Sequence, residues 1–137
     1  MSQHKLLPNN SGFTLVELMV ALLIAMVGMF GVLETINVSL QQTSKNELRN
    51  EGVKLGEKYM AEFRGTPFDS IVGPYAFVNV TTSVRGAKKT FVVERSAATM
   101  AESTPGTASS KQLTVVVKWA YRNMTSQNRV VSVVARP

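Results

Sequence analysis

These residues predict an α+β fold: a long N-terminal helix, apolar in its first half and amphipathic in its second, packed on a small antiparallel sheet. Three observations point there. Phe13 to Leu33 is an apolar run in which Glu17 is the only charge. Further on, Leu48, Leu55, Tyr59 and Phe63 follow one another at intervals of seven, four and four, one stripe of a helix. After Gly65-Thr66-Pro67 the period changes from helical to alternating, the signature of strands with one wet face.

Residues 1–12 (MSQHKLLPNNSG) are polar, with Lys5 as the one full charge and His4 as the one histidine of the chain. No Ala-x-Ala site follows the apolar run, so an ordinary secretory signal fits poorly. The better reading is a leader, 1–12, cut ahead of the apolar segment. Phe13 to Leu33 as a helix spans roughly 30 Å, about the hydrocarbon thickness of a bilayer. This segment, taken as 13–36, is expected to cross a membrane. From Glu34 to Arg64 the chain turns polar but keeps helix formers, so the helix continues as an amphipathic half, 37–64. Gly52 and Gly56 each weaken a helix by about 1 kcal/mol relative to alanine, which makes them candidates for a local bend. Gly65-Thr66-Pro67 is the stop.

The head beyond it, within 37–137, should hold a sheet over about 75–136. Val78, Val80, Thr82 and Val84 alternate with polar residues, and Lys89–Arg95 is a further strand. Leu113, Val115, Val117, Trp119 and Tyr121 form the apolar side of a third, and Val131, Val133 and Ala135 continue the apolar face on a fourth. Arg122–Asn128 is expected to be the hairpin between the last two strands, and the Ser/Thr/Ala-rich stretch Ser96–Ser110 a flexible surface loop. Trp119, Val115 and Val117 should bury themselves on the Leu48/Leu55/Tyr59/Phe63 stripe.

The chemistry available to this chain is narrow. Cysteine is absent, which excludes disulfides and thiol catalysis, and losing the leader would remove the only histidine. Asp69, Glu94 and Glu102 are isolated in sequence, and no D-x-D calcium loop occurs. A non-enzyme without metal or cofactor is therefore expected. The net charge of +6 includes a group formed by Arg85, Lys88, Lys89 and Arg95. No aromatic residues are interleaved as a base-stacking platform, so solvated surface is preferred there over contact with DNA or anionic lipid. The three Asn-x-Ser/Thr triplets at Asn37, Asn79 and Asn123 are discounted as chance matches.

Gly12-Phe13-Thr14-Leu15-Val16-Glu17, followed by an unbroken apolar helix, closely resembles the class III signal of type IV pilins and type II secretion pseudopilins. The resemblance implies a type IV pilin-like fold. It also implies cleavage by a prepilin peptidase between Gly12 and Phe13, and N-methylation of Phe13. A carboxylate in a membrane helix costs roughly 2.5–3.5 kcal/mol on insertion scales. By resemblance, Glu17 recovers this by attracting the free amine at Phe13 of a neighbouring subunit during filament assembly. Gly28 and Gly31 read equally well as helix–helix packing positions or as ordinary membrane-helix glycines. Met60–Arg64 closing the helix, the Leu113–Trp119 strand and a final hairpin resemble the PilV-type minor pilins more particularly. The lack of the disulfide-bounded loop common in major pilins agrees with a minor subunit.

The implied function is a minor type IV pilin that primes, assembles or caps a pilus. The alternatives are a minor pseudopilin of type II secretion and a DNA-capturing pilin of natural transformation. Implied partners are the prepilin peptidase, other minor and major pilins and the inner-membrane assembly platform. The implied location is the bacterial inner membrane, single-pass with the head in the periplasm, and then the filament.

Overall fold

The computed structural model describes residues 12–137. Helix α1 runs Leu15–Arg64 and is followed by a single 3-10 turn, Phe68–Ser70. Four strands come next: β1 Val78–Val84, β2 Ala87–Thr104, β3 Thr107–Tyr121 and β4 Met124–Ala135. They form one antiparallel meander in the order β1-β2-β3-β4. A long N-terminal helix packed on a four-stranded antiparallel sheet is the α+β, type IV pilin-like arrangement. The chain divides into two compact units, the described residues up to Gln41 and the unit Gln42–Pro137.

In the second unit the helix stripe meets one face of the sheet. Leu48, Leu55, Met60 and Phe63 are buried against Phe91 and Val93 of β2 and Leu113, Val115, Val117 and Trp119 of β3. Tyr59 is half-buried at the margin, and Met60 joins a core that the seven-four-four spacing does not include. The two glycines of this helix segment do not interrupt it. A Cβ on Gly52 would lie 2.6 Å from Cζ3 of Trp119, and one on Gly56 would lie 3.0 Å from Val130 Cγ2. Their lack of a side chain lets the helix approach β3 and β4.

The turns show why the strands pair as they do. Arg85 and Gly86 both have positive φ (53° and 77°), the signature of a type I′ turn whose twist matches its hairpin. Pro105 followed by Gly106 at φ 84° has the signature of a type II turn, which matches strand twist poorly. The β2–β3 register shifts between Thr99 and Thr104, beside that turn.

Three expectations are corrected here. Ser96–Ser110 is not a loop, because β2 and β3 run on as a paired ribbon to the Pro105–Gly106 turn. Most of that extension is solvent-exposed on β2, so no apolar period marks it. Arg122–Asn128 shrinks to a two-residue turn, Arg122–Asn123, with Thr125–Asn128 paired to Val117–Ala120. The buried side of β4 is also the other one. Val130 and Val134 pack on the core, whereas Val131 and Val133 are 47% and 55% exposed. Val-Val-Ser-Val-Val is symmetric about Ser132, so alternation cannot choose a face, and the short turn fixes it instead.

The segment between helix and sheet is held in place. Lys111 donates from Nζ to the carbonyls of Phe68 (2.9 Å) and Ile71 (2.7 Å), and Ile71 is buried. Tyr75 donates its N–H to the Arg95 carbonyl at 3.0 Å and sets its ring edge-on to Phe63, centroids 5.2 Å apart.

Candidate functional site: the start of the apolar helix

Gly12, Phe13 and Thr14 precede the helix in non-helical backbone. Thr14 starts it. Its carbonyl accepts the N–H of Leu18 at 3.1 Å, the first helical hydrogen bond, and its Oγ1 accepts the N–H of Glu17 at 3.2 Å. Thr14 is thus the N-cap and Glu17 the third helical residue, the spacing of a capping box. The first turn also favours a carboxylate through the positive end of the helix dipole. Sequence reasoning on Glu17 alone missed Thr14, although the Thr-x-x-Glu spacing ahead of an apolar run carried the signal.

Every residue from Gly12 to Leu40 is exposed, Phe13 at 83%. Helix α1 is long and apolar enough to cross a membrane, and its most apolar window has no buried residue. Among the described residues, the Glu17 carboxylate has no hydrogen-bond or ion-pair partner. Gly28 and Gly31 face open space, with nothing within 4 Å of an added Cβ, and the Gly31 carbonyl accepts Thr35 Oγ1 at 3.0 Å. Apart from Gly12, the expected leader, 1–12, lies outside the described residues, and with it Lys5 and His4.

In the unit Gln42–Pro137 the three carboxylates singled out in the sequence each have a different partner. Asp69 pairs with Arg136 at 2.6 Å, Glu94 with Lys118 at 2.6 Å, and Glu102 accepts the Gly106 N–H at 3.3 Å. No group of three metal-ligating side chains occurs among the described residues. The expected basic group is also divided. Arg95 leaves it for the helix side of the sheet, its guanidinium 5.9 Å from the Tyr59 ring and 5.3 Å from the Tyr75 ring, with Nε buried and unpaired. Arg85 pairs with Glu47 at 3.5 Å, while Lys88 is exposed. The inward phase of Arg95 follows from its place two residues beyond Val93 on β2.

Residues 7–33 match the family model of the prokaryotic N-terminal methylation motif. No curated protein and no solved structure matches the chain. The chain therefore carries a type IV pilin-like class III signal on an apolar helix that fits membrane anchoring. The motif supports a pilin-type or pseudopilin protein and implies processing by a prepilin peptidase and assembly with other pilins.

Proposed function

We propose that this protein is a minor type IV pilin, most like the PilV type, which primes, assembles or caps a pilus from the inner membrane with its head in the periplasm. The observation that carries the reading is the Glu17 carboxylate, without a partner among the described residues, in the first turn of a capped apolar segment that is exposed from Gly12 to Leu40 and directly behind Gly12-Phe13. Cleavage after Gly12 frees an amine at Phe13, which is then methylated. The Glu17 carboxylate attracts the amine of an adjacent subunit as helices leave the bilayer. In low dielectric such a pair is strong when formed, and its absence is penalised, so it supplies register to otherwise uniform apolar packing. Gly28 and Gly31 give neighbouring helices room to approach.

The test is Glu17→Gln in cells, with fractionation and mass spectrometry of the mature N-terminus. The variant should insert and be cut to Phe13 normally, then accumulate in the inner membrane while pili fall in number. Normal incorporation with normal piliation would refute the assembly role, and an N-terminus after Leu33 would refute the pilin reading itself. Loss of secreted enzymes with intact pili would reassign the protein to a type II secretion pseudopilus.

A further inference from the structure

We infer that the outer edge of β4, together with the groove at its start, takes an extended acidic segment of another protein chain by strand addition. This goes beyond the filament reading and does not depend on it.

The edge is open and regular. β4 closes the sheet on one side, and its pairing with β3 keeps one register over the whole strand. The Arg136 N–H donates to the Ser109 carbonyl at 2.8 Å, which sets the phase of the ladder. Counting back by twos, the even-numbered residues of β4 bond inward, and Thr125, Gln127, Arg129, Val131 and Val133 turn their N–H and C=O groups outward. Among the described residues no backbone hydrogen bond from another element reaches this edge. β4 contains no proline, no lysine and no bulge against β3, and Arg129 is its one charged residue.

The flank of that edge selects the sign of the occupant. A groove of ≈ 660 Å³ lies where the helix passes the start of β4, walled by Lys45 and Arg49 on one side and Thr125–Asn128 on the other. Trp119 and Tyr121 also line it, and no carboxylate does. Lys45 Nζ stands 5.9 Å from the Tyr121 ring, with Arg122 at 5.7 Å from the same ring. Arg49 makes no hydrogen bond, ion pair or ring contact among the described residues, and it and Lys45 are the two cations that line the groove. An open ladder supplies main-chain bonds to an extended peptide, and two cations beside it supply the charge preference. A lipid headgroup would use the cations but not the ladder. A second copy of this chain, pairing β4 to β4, would set these cations against one another and is disfavoured.

The chain has a single tryptophan, and it lines the groove, so its emission reports occupancy. The full chain in non-ionic detergent is titrated with a blocked peptide of about nine alternating valines and glutamates, a strand's length. A saturable shift of Trp119 emission is expected. Binding should weaken about tenfold or more, a readily measured step in Kd, in the Lys45→Gln/Arg49→Gln double variant and in Gln127→Pro. Gln127 has an outward N–H, so proline there blocks the edge without removing a ladder bond. The same loss is expected when the peptide is N-methylated at alternate residues, an arm that uses unaltered protein and is independent of variant folding.

No saturable shift would overturn the inference, as would binding indifferent to N-methylation. Soluble short-chain phosphatidylglycerol that displaces the peptide and shifts the emission with the same Lys45/Arg49 dependence would make the groove a lipid site instead. Concentration-dependent self-association abolished by Gln127→Pro would make the occupant a second copy.

Discussion

Gly52→Ala sets two effects of similar size against each other. In a free helix the change is favourable by about 1 kcal/mol. Here the new methyl would lie 2.6 Å, 2.9 Å and 3.1 Å from Cζ3, Cε3 and Cη2 of Trp119, well inside contact distance for carbon. The indole cannot swing away cheaply, since it is only 7% exposed and sits 6.0 Å from the Phe91 ring on the neighbouring strand. Overpacking of this kind typically costs about 1–3 kcal/mol, so with the propensity gain deducted a net loss of up to about 2 kcal/mol is expected. For a unit of this size that lowers Tm by up to roughly 15 °C. The assay is urea and thermal unfolding of the fragment 37–137, followed by far-UV circular dichroism. Trp119→Leu should lower stability by itself and abolish the penalty of Gly52→Ala, a coupling that a double-mutant cycle reads directly. Gly52→Ala that proves neutral or stabilising, with no coupling to residue 119, would refute the packing of helix on β3 described above.

Trp119→Ala in the same fragment should destabilise by about 3–5 kcal/mol, and a change below about 1 kcal/mol in the denaturation curve would place the ring outside the core. Gly28→Ala with Gly31→Ala meets no atom within the chain, so the processed protein should keep its helicity by circular dichroism in detergent while filament incorporation, read by shearing and immunoblot, falls. Lys111→Met removes both bonds to the Phe68 and Ile71 carbonyls. A loss of about 1.5–3 kcal/mol is expected, with faster proteolysis between Thr66 and Phe77 as the local readout.

The parts of this molecule legible in its sequence are those where one strong physical constraint acts along the chain. The apolar run behind Gly12-Phe13 is one, and the Leu48/Leu55/Phe63 stripe facing Val115, Val117 and Trp119 is another. What was not legible depends on contacts distant in sequence. The helix cost of Gly52 is visible locally, but its reason, a tryptophan ring from β3, is not. The β2–β3 extension carries little alternation because most of its β2 side is exposed. The face of β4 was ambiguous because valine stands on both sides of Ser132. Arg95 reads as surface charge until Tyr59 and Tyr75 are brought to either side of it. At the helix start the motif marked Glu17 as special, but the cap rests on Thr14, which the Thr-x-x-Glu spacing also signalled and whose two hydrogen bonds bear it out.

The cap at Thr14 also bears on proteolysis. A peptidase acts on extended backbone, and a bond within a continuous helix must first be exposed by breaking the ladder on both sides. With a nucleation constant near 10⁻³, restarting a helix beyond such a break is unfavourable by ~4 kcal/mol. Because Thr14 begins the helix, Gly12-Phe13 already stands in non-helical chain one residue ahead of it. On the proposed cleavage after Gly12, the apolar segment can therefore remain helical in a bilayer while the adjoining bond is cut. Thr14→Ala would remove the hydroxyl that marks this boundary and leave the scissile residues chemically unchanged, so its effect on processing rate would measure how far a side-chain hydroxyl, and not the peptidase, defines where the substrate is unwound.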